Sequence, residues 1–470
     1  MRTHKNTMNT AILIVLSLRI ISSAQMPNTD EGQARGQSHF PEHAEFYVPE
    51  PIQMPMMAIA PDGSIELMAS PARNRIISFD AQTGLEMILD ITYRELAQES
   101  HSRPCEKEGI EIPDDQINLM DLAGCGIVPN PEFYPWSANC RLFYIKDGVQ
   151  YSASGVLIDP RHVLTAASCV HEGNGGEMVS SMVVVPDYTA GSKPYGDAVG
   201  VSFGAWPGWT RNGRVDDNLA IIEVDRPIGA LAGWHGFGSN DDPSFYTGND
   251  FWMAGFPGEY MWFCYGNFDY TGYIDGQWQY NWLVIENTFQ PGWLGSGAYY
   301  VDSNSSRYVY GVLSTGTDKE TLFARITPEK FYDMVDFIND RTPSTFDLQP
   351  LAVSALPERI SAGNRPSSLK YIVHNYSSAS WSGTVDVNVY LSTNNVISTS
   401  DTLLDRHCFE HSFSPKSSAI VEVSTLPAIP GNTAPGRYWI GVILDISDSD
   451  PTNNGSDVQA VAPITVPYGL

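Results

Sequence analysis

The stretch from Ser154 to Val170, S-G-V-L-I-D-P-R-H-V-L-T-A-A-S-C-V, constrains the fold of this chain more than any other. Two apolar runs, Val156–Ile158 and Val163–Leu164, flank a Pro-Arg turn. Apolar and β-branched residues that are broken by a turn signal are typical of a buried hairpin. The second arm of this hairpin would deliver residues 165–167 to one point inside the fold.

Short strands separated by Gly, Asn and Pro fill the region from residue 131 to 340 and favour an all-β sandwich or barrel. The clearest strands are Arg141–Ile145, Met182–Val185, Ala220–Val224, Trp282–Ile285 and Val309–Leu313. The region ends on Thr327-Pro328-Glu329, which is typical of a capped helix start with proline at the first position. Apolar residues then recur at helical spacing: Phe331, Met334, Val335 and Ile338.

The hairpin resembles the segment that presents the catalytic histidine in trypsin-like serine proteases. Those proteins read L-T-A-A-H-C where this chain reads L-T-A-A-S-C, so Ser168 stands at the histidine position. The turn Gly255-Phe256-Pro257-Gly258 is similar to the G-Y-P-G turn of the bacterial, glutamyl-endopeptidase-like branch. The resemblance covers about residues 131–341 and implies two β-barrels that are followed by a terminal helix.

The two other catalytic positions of that family are also replaced. In D-D-N-L-A-I-I-E-V-D-R-P, the pair Leu219-Ala220 sets the register and puts Asn218 at the aspartate, although a local slip could offer Asp217. In P-G-W-L-G-S-G-A, the glycines put Leu294 at the nucleophilic serine. A serine hydroxyl is too weakly basic to replace histidine, and an amide cannot stabilise a charged imidazole as a carboxylate does. The resemblance therefore implies a pseudoenzyme, in which the fold is kept and the catalytic groups are lost.

Other parts of the family's site need no particular side chain or have changed character. The backbone N–H groups of Gly292 and Leu294 are expected to survive as an oxyanion site. Gly311-Val312-Leu313-Ser314 resembles the strand G-V-H-S beside the specificity pocket. At these pocket positions, Ser314 is kept and Leu313 replaces the histidine that glutamyl-specific members use against the substrate carboxylate.

Several interpretations stay open on the sequence alone. The domain is a binding or adhesion module, the chain is a cell-surface structural protein, or Ser296 is the nucleophile of an active endopeptidase with His171 displaced into the role of base. Without such a role, His171 and His162 are interpreted as solvated loop histidines. Because Ser168 is smaller than an imidazole, we expect Leu294 to be mostly buried in the vacated space.

A second all-β region spans about residues 348–470, after a linker from Arg341 to Pro350. Its size matches an immunoglobulin-like sandwich. Through V-H-N-Y-S-S-A-S-W-S-G and S-D-P-T-N-N-G-S-D, it resembles the bacterial cell-adhesion-related domain called CARDB. Asp445, Asp448 and Asp450 could chelate calcium with hard oxygen ligands, but a solvated hairpin loop is the simpler interpretation. No other cofactor is expected.

The charge of the chain limits its partners. Lys and Arg total 27 against 54 Asp and Glu, which gives a net charge of −27. Such a polyanion is repelled by nucleic acid and by anionic membranes. A peptide or protein ligand remains, with a cell-surface or extracellular polymer as a further candidate.

The N-terminus predicts export. Arg2 and Lys5 precede the apolar run Ala11–Leu18, and Ser22-Ser23-Ala24 supplies small residues for a signal peptidase. This run is too short for a membrane span, so residues 1–24 are predicted to be a signal peptide of a secreted or cell-surface protein. Residues 25–130 are interpreted as an N-terminal extension or pro-segment.

Six cysteines are compatible with an oxidising compartment. In trypsin-like proteins the cysteine after the histidine usually bonds to a strand position that is Ala153 here. Cys169 must therefore be free or find another partner, and Cys140 is the candidate. The crowd of aromatic residues from Trp252 to Trp282 is interpreted as barrel core rather than as a sugar- or peptide-binding platform.

Overall fold

The structure is a computed structural model. It describes residues 125–146, 149–179, 181–268, 292–316 and 321–468, together with the backbone of strands 77–80, 86–88, 270–271 and 282–285. The predicted signal peptide, residues 1–24, lies outside the described residues.

Strands dominate the described chain, as the sequence predicts. In chain order they are β1 (Ile77–Asp80), β2 (Glu86–Ile88), β3 (Cys125–Ile127), β4 (Asn139–Lys146), β5 (Val149–Asp159), β6 (His162–Thr165), β7 (Ser181–Pro186), β8 (Ala198–Ala205), β9 (Ala220–Val224), β10 (Gly236–Phe237), β11 (Phe251–Gly255), β12 (Trp262–Gly266), β13 (Tyr270–Thr271), β14 (Trp282–Ile285), β15 (Gly297–Val301), β16 (Arg307–Gly316), β17 (Thr321–Arg325), β18 (Leu348–Leu356), β19 (Ser368–Asn375), β20 (Trp381–Ser392), β21 (Thr402–Phe413), β22 (Ser418–Glu422), β23 (Gly436–Asp445) and β24 (Ala462–Val466). The α-helices are α1 (Pro207–Thr210), α2 (Gly229–Ala232), α3 (Pro243–Gly248) and α4 (Pro328–Arg341).

The first sheet closes into a six-stranded barrel. Its strand order is β8-β7-β4-β5-β6-β9, and β8 also pairs with β9 to complete the ring, while β1 and β2 extend the sheet beyond β8. The predicted hairpin is confirmed, because β5 pairs antiparallel with β6 and Val156 lies opposite Leu164. Alternate side chains of these strands fill one apolar core.

The second sheet carries the other half of the cleft. Its order is β13-β14-β17-β16-β15-β11-β12-β3, and β10 pairs with β16. A disulfide between Cys125 and Cys264 joins β3 to β12. Helix α4 follows this sheet. Thr327 caps it by accepting a hydrogen bond from the Lys330 N–H, and Phe331 and Met334 are buried beneath it, which confirms the predicted terminal helix.

A sandwich of two small sheets completes the chain. One sheet has the order β18-β19-β22 and the other β21-β20-β23-β24. Their facing side chains share one apolar core. The predicted linker is too long at its C-terminal end, because Leu348, Gln349 and Pro350 pair with β19 and already belong to β18. The all-β fold class, with a trypsin-like barrel domain and a C-terminal sandwich, is confirmed.

A buried polar junction joins the barrel to the sandwich. The Lys416 Nζ donates to Asp159 Oδ2, and both side chains are nearly inaccessible to solvent. His162 also contacts this carboxylate, with its Nδ1 2.8 Å from Asp159 Oδ1. Burial alone would raise the pKa of Asp159, but Lys416 and His162 hold it well below its usual range. The interpretation of His162 as a solvated histidine is therefore wrong. Its ring is fully buried and hydrogen-bonded to the buried Asp159 carboxylate.

Candidate functional site

The base and acid positions contact each other directly. The pairing of β6 with β9 sets Thr165 opposite Ala220, which brings the turn at Ser168 beside Asn218. The Ser168 N–H donates to Asn218 Oδ1 at 2.7 Å. The hydroxyl oxygen of Ser168 is buried and has no hydrogen-bond partner. The space that a catalytic base would use is therefore occupied by a short side chain that takes part in no polar contact.

Asn218 uses both ends of its amide. Its Oδ1 accepts from Ser168, and its Nδ2 donates to the Ser314 carbonyl at 3.0 Å, with only 1% of the residue exposed. A carboxylate could make the first contact but would face the carbonyl oxygen in the second. The site is thus built for an amide at this position.

The two carboxylates that precede Asn218 in the chain form ion pairs with other residues. Asp216 Oδ2 lies 2.6 Å from Arg214 Nη2, and Asp217 Oδ1 lies 3.1 Å from Lys330 Nζ. Lys330 also donates to the Asp216 carbonyl. Asp217, which a local slip would have offered as the triad acid, is therefore paired with the terminal helix rather than with the cleft.

The loop at the nucleophile position keeps the turn geometry that its glycines require. Gly292 has φ +97° and Gly295 has φ +84°, values that favour glycine. A Cβ on Gly295 would fall 2.2 Å from the Ser154 carbonyl oxygen. Within the loop, the Ser296 N–H donates to Trp293 O at 2.9 Å.

Leu294 lies between the first and the second sheet. Its side chain is half-buried and packs against the apolar clusters of both sheets. Ala167 and Cys169, the neighbours of Ser168, belong to the first of these clusters, and Trp293 and Leu313 belong to the second. The leucine therefore bridges the two halves of the domain where a protease holds its nucleophile.

The alternative catalytic pair is not brought together. Ser296 is fully buried, and its hydroxyl has no hydrogen-bond partner. A Cβ on Gly255 would fall 2.3 Å from that hydroxyl, so Ser296 faces β11. His171 is buried as well, which corrects its interpretation as a solvated histidine, and its Nδ1 accepts from the Gly173 N–H at 2.9 Å.

The specificity positions lie in apolar surroundings. Leu313 is buried and packs with Phe323 and Trp293. The Ser314 hydroxyl donates to the Val215 carbonyl at 3.2 Å. It therefore stabilises the turn of residues 215–218, called the acid loop because it carries Asn218. Neither side chain presents a cation or a free donor that would select a glutamyl substrate.

The predicted cysteine pair is wrong. Cys140 and Cys169 are both buried free thiols within the same apolar core. Burial raises the pKa of Cys169 to about 12 and that of Cys140 well above its ordinary value. Both thiols therefore pack as small apolar residues.

The other sequence candidates lie outside the cleft. Asp448 Oδ2 accepts from the Leu348 N–H at 2.9 Å, and Asp450 Oδ1 accepts from the Thr452 N–H at 3.0 Å. Among the residues that the structure describes, no three His, Cys, Asp or Glu side chains form a group suited to a metal ion. In the aromatic stretch, Trp252 is half-buried, whereas Tyr265 is 49% exposed and stacks on it at 5.0 Å, so Tyr265 is not core.

Two functional residues were missed in the sequence. Ser154 contacts the loop at Leu294 through its backbone and its hydroxyl. Its only signal was a serine between Ala153 and Gly155, directly before the apolar run Val156–Ile158. Lys416 gave no signal, because its partner Asp159 is 257 positions away in the chain.

The sequence of the barrel region defines a class of domain. The sequence model of the trypsin family matches residues 127–261, which include the six-stranded barrel. The chain therefore contains a trypsin-like serine protease domain. Ser168 and Asn218 lie inside the matched range, and Leu294 lies beyond it.

Individual relatives resemble only part of the chain. The glutamyl endopeptidase of Bacillus licheniformis is 29% identical over 132 residues, which cover 28% of this chain and 40% of that protein. The extracellular metalloprotease of Bacillus subtilis is 28% identical over 126 residues, which cover 26% of this chain and 40% of that protein. This chain thus spans about 40% of the length of these curated relatives.

Solved structures are similar over a comparable part. A Glu endopeptidase in complex with MPD is 20% identical, with a TM-score of 0.38 over 46% of this chain and 97% of that one. The protease Anisep of Arthrobacter nicotinovorans is 21% identical, with a TM-score of 0.35 over 40% of this chain and 90% of that one. In the part of the chain that the structure describes, no helix has both the length and the apolar character of a membrane span.

Proposed function

We propose that the trypsin-like domain is a secreted binding module without protease activity. The observation that supports this most directly is the Ser168 hydroxyl, which is buried at the position of the base and has no hydrogen-bond partner. The groups at the base and acid positions bond to each other through a backbone amide, and neither can take a proton from a nucleophile. The nucleophile position also lacks a hydroxyl group, because its residue is Leu294.

The ligand that best suits this cleft is an extended peptide segment. The N–H groups of Gly292 and Leu294 donate no hydrogen bond to any described residue, so they remain available to a carbonyl or carboxylate oxygen. The C-terminal sandwich, which resembles CARDB, would then serve adhesion or display. The basic start and apolar run of residues 1–24 support secretion.

Incubation with casein, an unstructured protein, tests the domain for cleavage. Mass spectrometry then counts new peptide termini, and active trypsin serves as the positive control. We expect no new termini above the buffer control. Residual catalysis after loss of triad groups is roughly 10³–10⁴-fold over water, which is far below useful turnover.

The same assay decides on the alternative enzyme. Termini that form with the wild-type protein and disappear in Ser296→Ala would overturn the proposal in favour of an endopeptidase that uses Ser296. We expect Ser296→Ala and the wild-type protein to give the same background.

A further inference from the structure

Ser154 is a fully buried serine in β5 that contacts two other segments through its hydroxyl group. Its Oγ donates to the Gly292 carbonyl at 2.7 Å and accepts from the Phe256 N–H at 3.0 Å. The hydroxyl thus joins the loop at Leu294 to the end of β11. An alanine here would leave a buried carbonyl and a buried N–H without partners.

The backbone of Ser154 holds the same loop at a second point. Its N–H donates to the Leu294 carbonyl at 2.8 Å, and its own carbonyl accepts from Thr165 Oγ1 at 2.8 Å. Ser154 therefore binds two carbonyls of the loop, those of Gly292 and Leu294. They lie on either side of the peptide bond that joins Trp293 to Leu294. This one residue of the barrel thus fixes two peptide planes of the loop, Gly292–Trp293 and Leu294–Gly295.

A hydrogen bond inside the loop, between the two peptide planes that Ser154 holds, shows where the N–H of Leu294 points. The Trp293 carbonyl accepts from the Ser296 N–H at 2.9 Å. A trans peptide bond carries its C=O and N–H on opposite sides, so the Leu294 N–H is directed away from Ser296. Neither this N–H nor that of Gly292 donates to another described residue, although the carbonyls of Gly292, Trp293 and Leu294 all accept hydrogen bonds.

We propose that Ser154 is a positioning residue that holds the amides of Gly292 and Leu294 ready for an oxygen atom of a bound peptide. This inference rests on the proposed binding function and deepens it by assigning the site its recognition chemistry. Donors that are fixed before the ligand arrives lose little freedom on binding, which favours affinity. The ligand group is a peptide carbonyl or a C-terminal carboxylate.

The loop offers a matched control for the Ser154 hydroxyl. Ser296 is equally buried and lies two residues after Leu294, but its hydroxyl has no partner. Ser154→Ala removes two hydrogen bonds, one to the Gly292 carbonyl of the loop and one from the Phe256 N–H, whereas Ser296→Ala removes none. Ser154→Cys keeps the size of the side chain with a weaker donor, and it carries the test if the alanine variant does not fold.

The test is nuclear magnetic resonance of ¹⁵N-leucine-labelled full-length protein, in which Leu294→Met identifies the Leu294 amide signal. In the ligand-free protein, Ser154→Ala should move this signal, Ser154→Cys should move it less, and Ser296→Ala should leave it in place. Unchanged Leu294 signals in all Ser154 variants would overturn the positioning role. This readout needs no ligand, so it is independent of the proposed function.

Titration with acetyl-Ala-Ala-Pro-Leu and with its C-terminal amide tests the ligand. We expect Ser154→Ala to weaken the binding of whichever peptide the wild-type protein prefers by roughly 5–10-fold, about the effect of one hydrogen bond. A preference for the free acid assigns a carboxylate ligand, and a preference for the amide assigns a carbonyl. Binding that is equal in Ser154→Ala and the wild type would overturn the inference, whereas binding of neither peptide by any variant would count against the proposed function.

Discussion

Asn218 shows how a single residue fixes the character of the cleft. Its amide donates to the Ser314 carbonyl and accepts from the Ser168 N–H, so both of its ends are used inside the protein. A family aspartate in this place would need a hydrogen-bond donor where Ser314 now presents an oxygen. The backbone groups on both sides of Asn218 thus fit an amide better than a carboxylate.

Asn218→Asp should destabilise the fold by roughly 1–3 kcal/mol at neutral pH, because a buried charge would face a carbonyl oxygen. The introduced carboxyl would have a raised pKa, so its cost is small near pH 4 and grows as the pH rises toward 7. Asn267→Asp is the control, because Asn267 is exposed while it donates to the Thr247 carbonyl at 2.9 Å. Urea unfolding with equal losses in both variants would contradict this account.

Leu294→Ser should not restore activity, because Ser168 supplies no base. The variant should lose stability, by about 1 kcal/mol for a half-buried leucine. Differential scanning fluorimetry measures this loss, and a casein assay measures activity. An unchanged melting temperature would show that the leucine contributes nothing to the packing of the cleft.

At the scale of elements, helix α4 stabilises the acid loop from behind. The buried Lys330 on its first turn pairs with Asp217 Oδ1 at 3.1 Å and donates to the Asp216 carbonyl. The sequence predicted this helix and its apolar face, but not its polar contact, because amphipathic spacing carries no information about which loop lies opposite. The helix therefore has a role in the geometry of the site as well as in the core.

Lys330→Met should destabilise the domain by about 3 kcal/mol, because it leaves the half-buried Asp217 without this partner. Lys193→Met is the control: Lys193 pairs with Asp197 at 2.6 Å, but both side chains are about a third exposed. That surface pair is worth less than about 1 kcal/mol. Chemical denaturation that gives both variants the same stability would contradict the role of Lys330.

At the scale of the whole molecule, the barrel and the sandwich are joined by specific polar contacts as well as by the chain. Besides Lys416 and Asp159, Arg226 Nε lies 3.2 Å from Asp457 Oδ2, and Gln459 Nε2 donates to Asp197 Oδ1 at 2.9 Å. A buried ion pair that loses one partner leaves an uncompensated charge. The two domains are therefore expected to unfold together.

Lys416→Met should lower the stability by about 3 kcal/mol and separate the unfolding of the two domains. Calorimetry of the wild-type protein should show one transition, and that of the variant two. Lys370→Met is the control. Lys370 Nζ lies 3.3 Å from Glu422 Oε2, but the Glu422 side chain is 66% exposed, so little stability should be lost. A single transition at an unchanged temperature in Lys416→Met would contradict the coupling.

The junction should also weaken in acid through His374, a buried residue of β19 whose Nδ1 lies 2.9 Å from Ser418 Oγ. Burial lowers the pKa of His374 from 6.5 to about 3, against the opposing effect of nearby Asp159, while Lys416 lowers it further. The fold favours the neutral ring, so this contribution to stability is complete above pH 6.5 and is lost as the pH falls toward 3. Urea unfolding at pH 7 and pH 4 should show a smaller loss in His374→Gln than in the wild type. Equal losses would contradict this assignment.

Sequence patterns predicted the all-β class, the hairpin of β5 and β6 and the terminal helix, all of which the structure confirms. These depend on local spacing and turn residues, which a sequence carries directly. The partners of His162 and Lys416 depend on how distant segments pack. Cys140 and Cys169 were paired wrongly for the same reason: both lie in one core without being bonded.

We propose that this trypsin-like domain binds a ligand without catalysing a reaction. The most direct measurement is labelling with a fluorophosphonate probe, read by intact mass, with active trypsin as the positive control. The account predicts that the mass of the wild-type protein stays unchanged while trypsin is labelled to completion. Stoichiometric labelling of any serine, and of Ser296 in particular, would contradict it.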